Sequence, residues 1–152
     1  MKVRRGKPED IEAIKTLGRE FYEKTSYHAS GIKYSPTTVY NLLAALMGEM
    51  GIVCVAEDDA GTIVGFILVA VFPVPFNVKV TGATELAFYV TPEAQSTGIG
   101  KQLLSKAEQV ASQRGVKFLS MVSLESVDPE SAQALYTKLG YRKNETLFTK
   151  DL

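Results

Sequence analysis

The sequence predicts a single mixed α/β domain, and three observations carry that prediction. Its 152 residues fall within the usual span of one domain, about 100–200 residues. Apolar residues recur at two periods, spacings of three and four that mark helices and short β-rich runs that mark strands. The β-rich runs follow one another in mid-chain and then alternate with helical patterns. That order implies an antiparallel half, then a parallel pair joined by a right-handed crossover. No repeat, low-complexity tract or linker divides the chain, so residues 1–152 read as one domain.

Lys2 to Gly6 reads as a short opening strand. Pro8-Glu9-Asp10 then fits a helix start, because proline suits the first turn and acids suit the positive end of the helix dipole. Ile11, Ile14, Leu17, Phe21 and Tyr22 share one face of that helix. Thr25 to Pro36 carries Ser, Gly and Pro and reads as a loop. A second helix is predicted over Thr37 to Met50, with Val39, Leu42, Leu43, Leu46 and Met47 inward. Ile52 to Glu57 and Ile63 to Phe72 are strands joined by the turn Asp58-Asp59-Ala60-Gly61. Pro73-Val74-Pro75 ends the second strand, and Thr84 to Thr91 forms the next, stopped by Pro92. Gly98 to Arg114 is a helix with Leu103, Leu104, Ala107, Val110 and Ala111 on one face and Gly115 at its end. Val116 to Leu124 is a strand, Asp128 to Leu139 a helix, and Tyr141 to Lys150 a closing strand or hairpin.

Composition narrows the function classes. Hydrophobic residues make up 45% and charged residues 22%, as in soluble globular proteins. Lys plus Arg (17) equals Asp plus Glu (17), so no broad field draws the chain toward nucleic acid or an anionic membrane. Arg4-Arg5 is followed by an amphipathic pattern and not by an apolar export segment. No stretch is apolar for long enough to span a bilayer, and the expected location is the cytoplasm. Cys54 is the only cysteine, which excludes an internal disulfide and a multi-cysteine metal site. Its apolar neighbours, Ile52-Val53 and Val55-Ala56, make it a small core residue.

The chemistry concentrates where a strand passes through a short turn into a glycine-rich helix start, Glu85 to Lys101. The first turn of a helix presents backbone N–H groups without intrahelical partners at the positive end of its dipole. Phosphates bind there, and Gly98 and Gly100 let the backbone come close. Lys101 adds a cation. A Gly-x-Gly between strand and helix is also a common tight connection, so by itself it is a weak signal. The longer P-loop string and the full dinucleotide-binding fingerprint are both missing.

Gln95-Ser96-Thr97-Gly98-Ile99-Gly100 matches the Gln/Arg-x-x-Gly-x-Gly/Ala acyl-CoA motif of a known superfamily, and Val90-Thr91-Pro92-Glu93 matches its usual lead-in. Ala132-Gln133-Ala134-Leu135-Tyr136-Thr137-Lys138-Leu139-Gly140-Tyr141 matches its second signature, in the required order and spacing. On these two signatures the sequence resembles the GNAT-type N-acetyltransferases along nearly its whole length. The resemblance implies a mixed sheet of six to seven strands and about four helices. Its N-terminal half would be antiparallel, and the parallel pair of strands would splay apart. It implies acetyl-CoA as cofactor, an amine as acceptor, and a monomer or homodimer. A catalytically silent acyl-CoA-binding or regulatory module is the alternative.

The resemblance also implies roles. Backbone N–H groups from Gln95, Ser96, Thr97, Gly98, Ile99, Gly100 and Lys101 would hold the pyrophosphate. The pantetheine arm would lie like an added strand along Phe88, Tyr89 and Val90, with the Val90 N–H facing the oxyanion. Tyr136 matches the general acid, and its reference pKa of about 10 keeps it protonated at neutral pH. Glu85 matches the base that takes the amine's proton, with His28 and Glu125 as the other candidates. Tyr27, His28 and Tyr34 fall in the region where relatives bind the acceptor, and Pro73 to Asn77 supplies a further wall. Two positions depart from the pattern. Ser96 and Thr97 stand where glycine and a basic residue are common, and Pro129 replaces an asparagine that helps hold the cofactor arm, leaving Ser126 or Ser131 to substitute.

Overall fold

The strands follow one another across the sheet in the order in which the chain makes them. A computed structural model describes all 152 residues. The elements are β1 (Lys2–Arg5), α1 (Ile11–Tyr22), α2 (Ser26–Ala29), α3 (Pro36–Leu46), β2 (Gly51–Glu57), β3 (Ile63–Val74), β4 (Asn77–Val90), α4 (Ile99–Gln113), β5 (Leu119–Ser120) and α5 (Pro129–Lys138). β1 to β4 are antiparallel neighbours, and β5 joins β4 in parallel after the α4 crossover. The mixed α/β sheet, the antiparallel half and the parallel pair agree with the sequence reading.

Period-two alternation assigns the core to two sides of the sheet. Val53, Val55, Phe66 and Leu68 face α1 and α3, meeting Ile11, Ile14, Leu17, Leu43 and Leu46. Ile52, Cys54, Ile67 and Val69 face the other way, onto Ile99, Leu103, Leu104 and Ala107 of α4. β2 is therefore buried on both faces, which explains its nearly unbroken apolar sequence. The β1–α1 corner is tied by ions. Arg4 donates both terminal nitrogens to Asp10, at 2.7 and 2.8 Å, and its Nε to Glu57 at 2.9 Å. Asp10 also accepts the Lys7 N–H at 2.9 Å, capping the turn that leads into α1. The β2–β3 turn works as its sequence suggested. The Asp58 carboxylate accepts from Ala60 and Thr62, and Gly61 sits at φ +84°.

Five strands and five helices replace the six to seven strands and about four helices expected. The segment read as a loop from Thr25 to Pro36 contains the one-turn helix α2. Leu42, expected inward, is exposed on α3. β3 runs on through Pro73 to Val74, and β4 begins at Asn77, so only Pro75 and Phe76 form the turn. Pro73 is tolerated because a register irregularity lies beside it, where a ladder bond is not required. The predicted strand over Val116 to Leu124 keeps regular pairing only at Leu119 and Ser120. No strand forms over Tyr141 to Lys150. Leu147 and Phe148 are adjacent, so a strand there would turn them to opposite faces, and both are exposed.

Two glycines set close approaches. At Gly82 the Phe118 ring occupies the place of a side chain, since a Cβ would lie 2.3 Å from its Cζ. That contact seats the chain entering β5 beside β4, where Lys117 N–H donates to Thr81 O and Ala83 N–H to Phe118 O. At Gly51 a Cβ would lie 2.7 Å from both the Leu46 Cα and the Val69 carbonyl oxygen, atoms that belong to backbone on two sides. Gly51→Ala should therefore destabilise the fold by about 2 kcal/mol, typical of overpacking, and denaturant unfolding would read this as a lower midpoint at unchanged slope.

Candidate active site

β4 and β5 pair only at Ala83 with Leu119 and Thr84 with Ser120, and then they part. Just past this point β4 carries a bulge. Val69 pairs with Glu85 and Leu68 with Ala87, leaving Leu86 as the extra residue. Such bulges re-aim side chains, and here the Glu85 carboxylate turns into the opening, with only 7% of the residue exposed. Its Oε2 accepts the Val122 N–H at 2.9 Å. From α5 the Tyr136 hydroxyl donates to the Val122 carbonyl at 3.0 Å. Two side chains thus hold the peptide groups of one residue on the departing strand.

Burial pushes the Glu85 carboxyl up to about 7, against the opposing pull of the Val122 N–H. Burial, and the nearby Glu85 charge, raise the Tyr136 phenol well above its ordinary value, so it stays protonated. Both groups face a cavity of about 100 Å³. Phe21 of α1 and Phe88 of β4 wall it on one side. Val122, Leu124 and Val127 of the β5–α5 connection and Ala132 of α5 complete the wall.

The edge of β4 above the parting is open. Thr91 N–H donates to Val64 O, and backbone groups in an antiparallel ladder alternate sides. Tyr89 and Ala87 therefore bond toward β3, while Phe88 and Val90 turn their N–H and C=O toward the opening. The Gln95 side chain donates to the Val90 carbonyl at 3.0 Å. Tyr89 departs from the expectation that it shares this edge. Its ring is buried against Phe21 and Phe66 on the α1 side, and its hydroxyl donates to Glu20. Burial and that contact push the phenol up to about 12.

The turn from β4 into α4 has the form of an anion cradle. Ser96 and Gly98 both take positive φ, +64° and +82°, and alternation with left-handed residues turns successive N–H groups inward. The N–H groups of Ser96, Thr97, Gly98, Gly100 and Lys101 have no acceptor within the protein, by backbone or side chain. The Thr97 hydroxyl donates to Ala94 O and accepts the Ile99 N–H at 3.4 Å, which steadies the turn. A Cβ on Gly98 would meet nothing within 4 Å. Ile99 offers the cradle no free group, since its N–H goes to Thr97 and its side chain is in the core.

The remaining predicted residues lie elsewhere. Tyr27 and His28 are exposed on α2, and His28 Nδ1 lies 3.3 Å from the Tyr22 hydroxyl. Tyr34 packs on Tyr22 and donates to the Lys15 carbonyl at 2.9 Å. His28 and Tyr34 pack on the Tyr22 ring, Tyr27 stays exposed, and none of the three lines the cavity. Glu125 and Ser126 are exposed and also outside it. Ser131 is exposed at the start of α5, its N–H donating to the Asp128 cap. Sequence reasoning treated Phe21 as core and passed over Leu124 and Val127. The signal for Phe21 was its place at the far end of the α1 stripe, beyond the residues that meet α3. A second, larger groove of about 450 Å³ runs between the end of α1 and the turn after β4. Glu20, Glu23, Lys24, Tyr89 and Glu93 line it.

Known proteins share the family and the fold. Residues 49–143 match the family described as acetyltransferase (GNAT) domain. The uncharacterized N-acetyltransferase YhfO of Bacillus subtilis (strain 168) is 28% identical over 148 residues, covering 95% of this chain and 91% of that protein. Among solved structures, the aminoglycoside acetyltransferase HMB0005 from an uncultured soil metagenomic sample superposes with a TM-score of 0.77. Its identity is 21%, with 99% of this chain and 97% of that one covered. AAC(6')-Iy in complex with a bisubstrate analog, CoA-S-monomethyl-acetylneamine, gives 0.78 at 13% identity, covering 99% and 97%.

Ser96 is the one non-glycine residue of the cradle held at positive φ, a conformation costing L-residues roughly 1–2 kcal/mol. Part of that cost returns as chain entropy when glycine is substituted. Ser96→Gly should raise stability by about 0.5–1 kcal/mol, read as a higher melting temperature, with anion binding at the cradle unchanged.

Proposed function

We propose that this chain, which belongs to the acetyltransferase (GNAT) family, moves an acetyl group from acetyl-CoA to a primary amine by direct attack. The observation that carries the reading is the set of unpaired N–H groups at the head of α4, opening beside a gap that holds Glu85 and Tyr136. These residues fit the cofactor. Gly98 leaves the cradle clear, and the polar edge of β4 leads from it to the gap. When bound, acetyl-CoA supplies an activated acyl group whose thiolate leaves readily, its reference pKa being about 8.5.

The chain's own groups divide the remaining work. The N–H groups of Ser96, Thr97, Gly98, Gly100 and Lys101 hold the pyrophosphate. Phe88 would hydrogen-bond the pantetheine arm, and the Val90 N–H would serve the carbonyl oxygen on which charge develops. Glu85, poised near neutrality, takes the proton that an ammonium must lose before attack. Tyr136 keeps its proton for the leaving sulfur, releasing its bond to the Val122 carbonyl as it does so. The state of the one cysteine supports direct attack. Cys54 is fully buried in the sheet and its thiol is pushed up to about 11, so it offers no nucleophile for an acyl-enzyme.

Calorimetric titration with acetyl-CoA, with ATP and NAD as controls, tests the reading. Micromolar binding of acetyl-CoA alone is expected, and a folded protein that ignores millimolar acetyl-CoA would refute it. A Cβ at Gly100 would touch Phe88 at an ordinary 3.5 Å, so Gly100→Asp should fold while its charge abolishes that binding.

The catalytic roles have separate readouts. Tyr136→Phe should retain binding and lose roughly 10²-fold in turnover. An unchanged rate would leave Tyr136 as a packing residue. Glu85→Gln keeps an oxygen for the Val122 N–H and removes the base. The wild-type rate should fall as pH drops below about 7, and the variant should lose that acidic limb. A limb that persists would move the base to another group.

A further inference from the structure

The opening between β4 and β5 is a passage through the sheet. Phe88 and Tyr136 belong to the layer of α4 and α5, and Phe21 belongs to the layer of α1 and α3, yet all three wall one cavity. An acceptor can therefore reach the gap from the α1 side while the cradle at the head of α4 serves the other substrate. Glu85 is nine-tenths buried, its Oε2 is taken by Val122, and its Oε1 accepts no bond. No fully enclosed side-chain nitrogen or oxygen in the protein lacks a partner, so this Oε1 opens onto the cavity. A buried carboxylate aimed into a cavity calls for a cation or a donor. The rest of the wall offers neither beyond the Tyr136 hydroxyl: Phe21, Phe88, Val122, Leu124, Val127 and Ala132 are apolar there.

From this arrangement we infer that the acceptor is a monocationic primary amine whose ammonium sits on apolar carbons, with the nitrogen against Glu85 and the carbons against Phe21 and Leu124. The inference rests on the acetyl-transfer reading of the same site. Glu85 takes the ammonium's proton, the nitrogen lone pair bonds to the acetyl carbon, and the carbon–sulfur bond breaks with its electron pair on sulfur. Tyr136 protonates that sulfur, the second proton that the nitrogen sheds on becoming an amide restores the phenol, and Glu85 returns its own proton to solvent. A cavity of about 100 Å³ admits about three water-sized groups, so that beside the acetyl end only the ammonium and its nearest carbon enter it. A second ammonium a few atoms away would meet apolar wall with no partner, at a cost of several kcal/mol.

The groove lined by Glu20, Glu23 and Glu93 is the rival seat for a second charge. Of its three acids only Glu20 is engaged, and the groove carries one cation of its own, Lys24. Glu20 accepts the Tyr89 hydroxyl, and the Lys24 ammonium lies 5.0 Å from the Tyr89 ring centroid. The Phe21 and Tyr89 rings, 6.1 Å apart, stand between it and Glu85.

Butylamine and 1,3-diaminopropane have the same heavy-atom length and differ in one terminal charge. With saturating acetyl-CoA and chromatographic product analysis, the KM for butylamine should be at least about tenfold the lower. Phe21→Ala should raise the butylamine KM about tenfold while kcat stays within about twofold, and Phe21→Leu should restore most of the loss. Acetyl-CoA affinity, measured by calorimetry on each variant, should not move. An equal or lower KM for 1,3-diaminopropane would overturn the inference and place the second charge in the acidic groove. So would a Phe21→Ala enzyme with unaltered butylamine KM, or a wild-type protein that binds acetyl-CoA and acetylates no butylamine. Failure to bind acetyl-CoA at all would instead bring down the parent reading, and the acceptor assignment with it.

Discussion

The peptide groups of Val122 are the point on which the site depends. A sheet strand that leaves its neighbour exposes a row of N–H and C=O groups, and each one buried without a partner costs about 1–3 kcal/mol. β5 leaves β4 after Ser120, and at Val122 both groups are satisfied by side chains, Glu85 for the N–H and Tyr136 for the C=O. The separation is thus held by the same two groups to which the proposed chemistry falls. Either residue alone would satisfy one end. Together they fix the spacing between β4 and α5, and so the cavity between them.

Opposite electrostatics operate at the two ends of the sheet. At the β1–α1 corner, Arg4 holds the Asp10 carboxyl well below its usual range. That contribution is present above the unfolded carboxylate pKa and is lost as pH falls through the lowered value. At the gap, burial raises Glu85 to about 7. That neutral carboxyl favours the fold in acid, and its contribution is lost as pH climbs through about 7. One acid is paired because the corner must be rigid. The other lacks a cation, and the fold carries the cost of burying it.

Much of this was legible in the residues. Periodicity located α1, α3 and α4, because each buries one face against the sheet and the pattern records the face, and the Asp58 to Gly61 turn located the β2–β3 hairpin. The cradle was legible because Gly98 serves a positive φ that has few other solutions. Ser96 takes the same conformation without announcing it. The pairing length of β5 was not legible: Val116 to Leu124 has strand composition throughout, and where its ladder stops is decided by Gly82, Phe118 and the Glu85 bulge in a different strand. Likewise Tyr27, His28 and Tyr34 looked like a pocket in sequence. Tyr27 is exposed, and the partners of His28 and Tyr34, Tyr22 and the Lys15 carbonyl, are α1 groups that turn those two into a brace. Phe21 looked like core and stands at the passage.

The position of Cys54 has a practical side. A group-transfer enzyme that frees one sulfhydryl per turnover is conveniently followed with a chromogenic disulfide, provided the polypeptide contributes no sulfhydryl of its own. Here the single cysteine lies fully enclosed in β2, between neighbours on both sides, with its acidity suppressed. The folded enzyme is therefore silent to such a reagent, and unfolding unmasks one equivalent. In one cuvette the initial slope counts product, and a slow later rise of one sulfhydryl per chain reports loss of the native sheet.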